Sequence, residues 1–336
     1  MLIECVPNFS EGRNMATLRQ IGGAIASVEG VRLLHVDAGQ AANRTVFTFT
    51  GRPDAVSEAA FRGACTAAEL IDMRLHHGTH PRIGAMDVCP LIPLTGISLE
   101  ETAVYARALA RRVGDKLAIP VYCYEAAAFA PHRRSLAACR QGEYEGLPAK
   151  LAASEWAPDF GPNIFNPRSG AAIIGARNIL IAWNINLNTD SIEVAKKIAA
   201  DIRESGQTVR DASGGAVRRP GMLPKVRAIG WYIAEYGCAQ VSMNLLDYHR
   251  MPLHIVWEAV CRQAERYGVK VTGSELVGLI PLDALTEVGA YFAVKQGTGI
   301  RPSSEEALDI AVNTLGLNQL APFIPQERIL EYLNKP

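Results

Sequence analysis

The run His76-His77-Gly78-Thr79-His80-Pro81-Arg82-Ile83-Gly84 sets three of the chain's seven histidines beside an arginine, inside one loop bounded by glycine and proline. Such a density of ionisable side chains does little for packing and suits proton transfer and anion binding. An imidazole with an ordinary pKa of about 6.5 is the natural acid–base group at neutral pH. The plain alternative is a solvated loop whose imidazoles bond to backbone. A metal site is the weaker reading. Asp72, His76 and His80 stand at i, i+4 and i+8, with His77 as a further donor. Gly78 and Pro81 break the helix that would hold that spacing, and no HExxH occurs, so no metal is expected.

Three further stretches carry polar chemistry. In LLHVDAGQAANRTVFTF, Asp37 closes an apolar strand, a frequent station for active-site carboxylates. It could orient an imidazole or pair with a cationic substrate group, or merely form an Asx turn with Gly39. Asn43-Arg44 could grip a carboxylate or make a surface ion pair. Residues 158–177, PDFGPNIFNPRSGAAIIGAR, join the two halves. They form either a plain linker or a backbone-rich ligand clamp, and they lack the GxGxxG and Walker spacings of a nucleotide cradle. ASGGAVRRPGMLPK reads as a mobile basic loop.

These stretches need elements to hold them. With 336 residues, 49% of them hydrophobic, the chain suits two packed halves. Its 34 basic and 34 acidic residues balance, which argues against nucleic-acid or membrane-surface binding by net charge. The cysteines at 5, 65, 89, 123, 139, 238 and 261 form no CxxC pair. Neither a disulfide framework nor a zinc knuckle is indicated, and a cytoplasmic setting fits. The start, MLIECVP, lacks the basic and apolar regions of a signal peptide, and no apolar run reaches membrane-spanning length.

Strands are expected at 2–6, 31–36, 44–49 and 88–92, with helices at 15–28 and 53–73. The second half repeats the order. It has strands at 178–187, 225–233, 239–245 and 276–280, a helix after a capping box at Asp190–Glu193, and another from Pro252 to Tyr267. RPDAVSEAAF matches MPLHIVWEAV in place, and DVCPLIPLTG matches ELVGLIPLDA. A β-α-β-β-α-β order in both halves suggests an ancient duplication. Pro53 to Pro93 is 40 residues and Pro252 to Pro281 is 29. The surplus of 11 falls on the histidine loop, making it an insertion into one half. Sheets with helices on one face can bury the other by packing on each other. Asn184, Asn186, Gln240, Ser242 and Asn244 occupy strand positions where apolar residues are expected. They either bond one another across that interface or line a cleft for a flat polar ligand.

Together these residues resemble the glutamate formiminotransferase family. The matching pieces include ECVPNFSEGR, DAGQAANRTVFTFTG, HHGTHPRIGAMDVCPLIPL, QGEYEGL, APDFGP, NINL, IGWYI, AQVSMNLLD, GSELVGLIPL and APFIPQERILEYL, covering essentially the whole chain. The resemblance implies an α/β (α+β) fold of two similar subdomains, 1–176 and 177–336. Each would be a mixed sheet with helices on one face, the sheets packed face to face around a ligand tunnel. It implies a cytoplasmic homodimer without a following cyclodeaminase domain. The implied activity moves a formimino group from N-formimino-L-glutamate to tetrahydrofolate, in histidine degradation and one-carbon metabolism. The small-molecule partners would be formiminoglutamate and folate, with no nucleic acid or membrane.

The resemblance also implies site residues. His80 of the HPR motif would be the catalytic histidine and Asp37 of the DAG motif its support. Folate would lie on Gly161, Pro162, Asn163, Ile164, Phe165, Asn166, Pro167, Arg168, Ser169 and Gly170; the middle of this segment departs from the animal version. Asn8, Asn43, Arg44, Arg82, Arg177, Asn184, Asn186, Gln240 and Asn244 are substrate-binding candidates, with the three arginines assigned to carboxylates. Asp37 would either orient His80 or offset an amidinium charge. Competing expectations are a 5-formyltetrahydrofolate cyclo-ligase-like enzyme, a folate-binding module without turnover, and a metal hydrolase.

Overall fold

The computed structural model describes residues 1–210, 214–297 and 302–333. It divides into two compact units, Met1–Asn178 and Ile179–Pro336. The first unit runs β1 (Leu2–Cys5), β2 (Asn8–Phe9), α1 (Met15–Ala26), β3 (Val31–Gly39), β4 (Arg44–Gly51), α2 (Pro53–Leu70), β5 (Met86–Thr95), α3 (Leu99–Leu117), β6 (Val121–Glu125), α4 (Leu136–Arg140), α5 (Leu147–Ala152) and β7 (Ala172–Ala176). The second runs β8 (Ile181–Leu187), α6 (Ile192–Ile202), β9 (Gln207–Arg210), β10 (Ala216–Arg219), β11 (Val226–Ile233), β12 (Cys238–Leu245), α7 (Leu253–Arg266), β13 (Val271–Val277), α8 (Leu282–Lys295), α9 (Ser304–Thr314), α10 (Pro325–Arg328) and α11 (Leu330–Leu333).

The repeat expected from the sequence is visible in the topology. The first sheet is ordered β3-β4-β1-β5, with β2 continuing the lane of β1 between β4 and β5. The second is ordered β11-β12-β8-β13. Numbered within its own β-α-β-β-α-β set, each sheet reads 2-3-1-4, the split arrangement in which both helices cross one face. The first sheet is then extended by β7, which pairs in parallel with β5, and by β6, which pairs in parallel with β7. Helix α3 is the crossover such parallel strands require, and Ser98 and Glu101 form its capping box. The periodicity reading assigns no element to this extension.

The link between α2 and β5 has fifteen residues, 71–85, where that between α7 and β13 has four, 267–270. The histidine loop is therefore an insertion of the expected eleven residues. Among the boundaries that differ from expectation, two have a local cause. The last strand of the second repeat is Val271–Val277 rather than 276–280, because Gly278 turns the chain through φ 75°. ELVGLIPL thus leaves its strand where DVCPLIPL continues within β5. The cap of α6 is Ser191, whose hydroxyl accepts from the Val194 N–H, not a box on Asp190.

Phe47, Phe49, Cys5, Phe9, Cys89 and Leu91 point to one face of the first sheet and pack with α1, α2 and α3. Strand alternation sends Arg44, Val46, Thr48 and Asn8 to the other face. Under β5, β6 and β7 that face is covered, since Val88, Tyr122, Tyr124 and Ile173 pack with Cys139, Leu147 and Leu151 around α4 and α5. In the second unit, Trp183, Ile185, Val241 and Met243 point to the helices. No helix among the described residues is long and apolar enough to cross a membrane.

Candidate active site

The histidine loop is built by close backbone contact. A Cβ on Gly78 would lie 2.1 Å from the Ala42 carbonyl oxygen, so only glycine lets the loop reach the β3–β4 turn. A Cβ on Gly84 would meet the Ala171 carbonyl oxygen at 2.1 Å. This second contact seats the loop against the 161–170 segment.

The three histidines do different work. His76 is buried, and its Nε2 donates to the Asn43 carbonyl at 2.7 Å. Its Nδ1 accepts from Arg82 Nε at 3.3 Å, and burial lowers its pKa. His77 is exposed. His80 is half-buried and its Nδ1 lies 2.8 Å from the Pro81 carbonyl. A carbonyl only accepts, so Nδ1 carries the proton and Nε2 the lone pair. The tautomer is thus fixed by this backbone oxygen. Burial, followed by the charges of Arg44 and Arg140, pushes the His80 pKa down to about 3, against an opposing pull from Asp87. The ring is neutral at physiological pH.

Beside it lies a buried charge cluster. Asp87 is 0% exposed, and its Oδ2 accepts from Arg44 Nη1 at 2.5 Å and from Arg140 Nη2 at 2.6 Å. Its Oδ1 accepts from the Ile83 N–H at 2.8 Å and from Arg140 Nε at 3.3 Å. Burial opposes ionisation of Asp87, but Arg140 and Arg44 outweigh it and hold the carboxyl down at about 2. Burial lowers Arg44 to about 10, still cationic at neutral pH. Arg44 Nε donates to Asn8 Oδ1 at 3.0 Å. A register shift where β5 meets β2 occurs at this point, Asn8 facing Val88 and Phe9 facing Met86. Such an extra residue re-aims side chains. Two guanidiniums share one carboxylate, so the cluster carries excess positive charge.

The expected residues scatter into three groups. Asn8 and Arg44 join His80, and Asp37 shares their sheet face, in the row Asp37–Val46–Asn8–Val88. Asn43 and Arg82 are engaged by other parts of the protein. Asn43 adopts φ 46°, accepts from the Gly12 N–H at 3.0 Å and donates to the His77 carbonyl at 3.0 Å. Arg82, assigned above to a substrate carboxylate, instead grips Glu145 at 2.6 and 2.7 Å and Glu143 at 3.2 Å. Arg177 follows β7 at the far end from Asp87 and donates to the Asn178 carbonyl.

The 161–170 segment lies beside the loop. Gly84 bridges Gly170, and the Ala85 N–H donates to the Ser169 carbonyl at 2.9 Å. Asn166 Oδ1 accepts from the N–H groups of Arg168 and Ser169. The Arg168 side chain reaches away, to the Ala68 and Glu69 carbonyls that end α2. Gly161, Pro162 and Phe165 are half-buried, Ser169 and Gly170 buried, and Asn163, Ile164 and Pro167 exposed. Tyr144 donates to the Pro167 carbonyl at 2.5 Å, and its ring meets Phe165 at 5.4 Å. QGEYEGL is thus a clip, with its glutamates on Arg82 of the loop and its tyrosine on the segment.

In the second unit the amides bond within that unit. Trp231 Nε1 donates to Gln240 Oε1 at 2.9 Å, Gln240 Nε2 to Asn186 Oδ1 at 2.7 Å, and Asn186 Nδ2 to Gln319 Oε1 at 2.5 Å. Asn184 donates to Glu275 at 3.2 Å, and Asn244 is exposed. The i, i+4, i+8 ligand geometry does not form. Asp72 bonds Arg74, and no group of three or more potential ligands converges among the described residues.

Sequence reasoning passes over Asp87 and Arg140. The available signal is a carboxylate inside the apolar run AMDVCPLIPL, since a buried charge demands a partner.

Two sheet-and-helix units with a neutral imidazole on a cationic cluster define a two-subdomain α/β protein equipped for proton transfer and anion binding. Residues 2–177 match the model of the formiminotransferase domain, N-terminal subdomain, and residues 182–335 that of the formiminotransferase domain. The chain belongs to the formiminotransferase family. It is 49% identical over 332 residues to formimidoyltransferase-cyclodeaminase of Sus scrofa, covering 99% of this chain and 60% of that protein. It therefore spans about three-fifths of that relative's length. It is 41% identical over 314 residues to glutamate formimidoyltransferase of Thermoplasma acidophilum, covering 93% of this chain and 99% of the relative. It is 40% identical over 291 residues to the Streptococcus pyogenes serotype M1 protein of that name, covering 87% and 93%.

Proposed function

We propose that the chain is a glutamate formimidoyltransferase that moves the formimino group between N-formimino-L-glutamate and tetrahydrofolate. The observation that supports this most is His80 held as a neutral Nδ1–H imidazole beside Arg44 and Arg140. The donor's formimino group is an amidine, protonated at neutral pH, with an electrophilic carbon. N5 of tetrahydrofolate forms a bond to that carbon and becomes acidic. His80 Nε2 takes the N5 proton and returns it to the glutamate nitrogen as the old carbon–nitrogen bond breaks. The protonated ring is then the acid that the departing nitrogen requires. Asp37 offsets the amidinium charge, since the Pro81 carbonyl already fixes the ring. The 161–170 segment lies against the folate, and holding both substrates together removes several kcal/mol of barrier, by analogy with intramolecular reactions. A cytoplasmic homodimer is part of the same reading.

Incubation with formiminoglutamate and tetrahydrofolate tests it, with formimino-folate absorbance as the readout. Nucleotide-dependent ring closure of 5-formyltetrahydrofolate without formimino transfer would favour the cyclo-ligase reading instead.

A further inference from the structure

The Arg44–Asp87–Arg140 cluster has more cationic capacity than Asp87 uses. Arg44 binds through Nε and Nη1, and Arg140 through Nε and Nη2. Arg44 Nη2 and Arg140 Nη1 have no protein partner among the described residues. Asp87 cannot take them, since both its oxygens already accept twice, Oδ1 from Arg140 Nε and from the Ile83 N–H that ties down the loop. Two guanidinium edges thus remain beside His80, held by a carboxylate wholly removed from water. Guanidinium edges match a carboxylate in geometry and charge.

On the transferase reading, two substrates bring carboxylates. In an N-formimino amino acid the reacting carbon is bonded to nitrogen, nitrogen to Cα, and Cα to the carboxylate. That carboxylate cannot lie far from the group that shuttles the proton. The carboxylates of folate are separated from N5 by a benzoyl spacer. A cationic pair adjoining the proton shuttle therefore suits the amino acid. We propose that Arg140, with Arg44, anchors the α-carboxylate of the amino-acid substrate, and that Asp87 is the positioning residue that holds both guanidiniums. Binding there also brings negative charge beside His80, returning its pKa toward neutrality when the substrate is in place.

The test compares wild type, Arg140→Gln and Arg140→Lys on N-formimino-L-glutamate and on N-formimino-4-aminobutyrate, which lacks the α-carboxylate. Arg140→Gln is expected to raise KM for formiminoglutamate by about 10–100-fold, the scale of a lost charge-assisted contact. KM for tetrahydrofolate should stay unchanged, the decarboxylated analogue should lose far less than formiminoglutamate does, and Arg140→Lys should recover part of the loss. Unchanged KM, equal losses on both amino substrates, or a loss confined to tetrahydrofolate would overturn the assignment, the last moving the contact to the folate carboxylates. Calorimetry with L-glutamate reads the contact without turnover. Binding by wild type and weakened binding by Arg140→Gln support it, and absent or equal binding overturns it. A wild type that binds glutamate but transfers nothing would sink the transferase reading and leave this contact standing.

Discussion

The two repeats share one topology and differ on the sheet face turned away from their helices. In the second, the buried polar groups are neutral, and a chain of them runs from Trp231 to Gln240 to Asn186 to Gln319, with Gln319 donating on to Thr272. Asn186 and Gln240 are both 0% exposed. In the first, a buried arginine and a largely buried one meet one aspartate beside a histidine whose pKa is forced down. A closed amide network satisfies a fold, since buried polar groups need partners. A cluster with excess charge does not, because unbalanced buried charge costs stability. The eleven-residue insertion sits on the unbalanced side. The same scaffold thus separates a half that is held together from a half that is kept ready.

That contrast can be broken by substitution, and the largest effects belong to the charged half. His80→Gln should lower kcat by about 10²–10⁴-fold, the usual worth of a positioned acid–base group. Its melting temperature should stay near that of wild type, and unaltered turnover would remove His80 from the chemistry. Asp87→Asn removes the one carboxylate between Arg44, which is buried, and Arg140, which is largely so. It should cost about 3–5 kcal/mol in denaturant unfolding, as expected when one partner of a buried pair is lost. A cost under about 1 kcal/mol would show the cations to be solvated instead. In the neutral half, Asn186→Ala strands the Gln240 amide and should cost about 1–3 kcal/mol. An effect as large as that of Asp87→Asn would erase the contrast.

Much of this was readable from residue patterns, and the limit is physical. The helices with apolar residues every three to four positions, and the alternating strands, revealed the repeat and its insertion. The extension by β6 and β7 was not revealed, because strands buried on both faces lose alternation; all of Ala172–Ala176 is buried. His80, Arg44 and the glycine-rich segment were recognisable by residue type. The pairing of Arg82 was not legible, because nothing local shows that Glu143 and Glu145, some sixty residues on, close over it. Asp87 and Arg140 were missed for the same reason, lying 53 residues apart and meeting only in the folded chain.

The central claim concerns one ring, and nitrogen NMR of histidine-labelled protein addresses it directly, with the His80 signals identified by their loss in His80→Gln. The account predicts a neutral Nδ1–H imidazole from pH 8 down to pH 5, protonating only far below the ordinary value of about 6.5. Because the unfolded imidazole takes up its proton near 6.5 and the folded one only near 3, stability should fall on acidification across that interval. A ring that titrates near 6.5, or that carries its proton on Nε2 at neutral pH, would contradict the account.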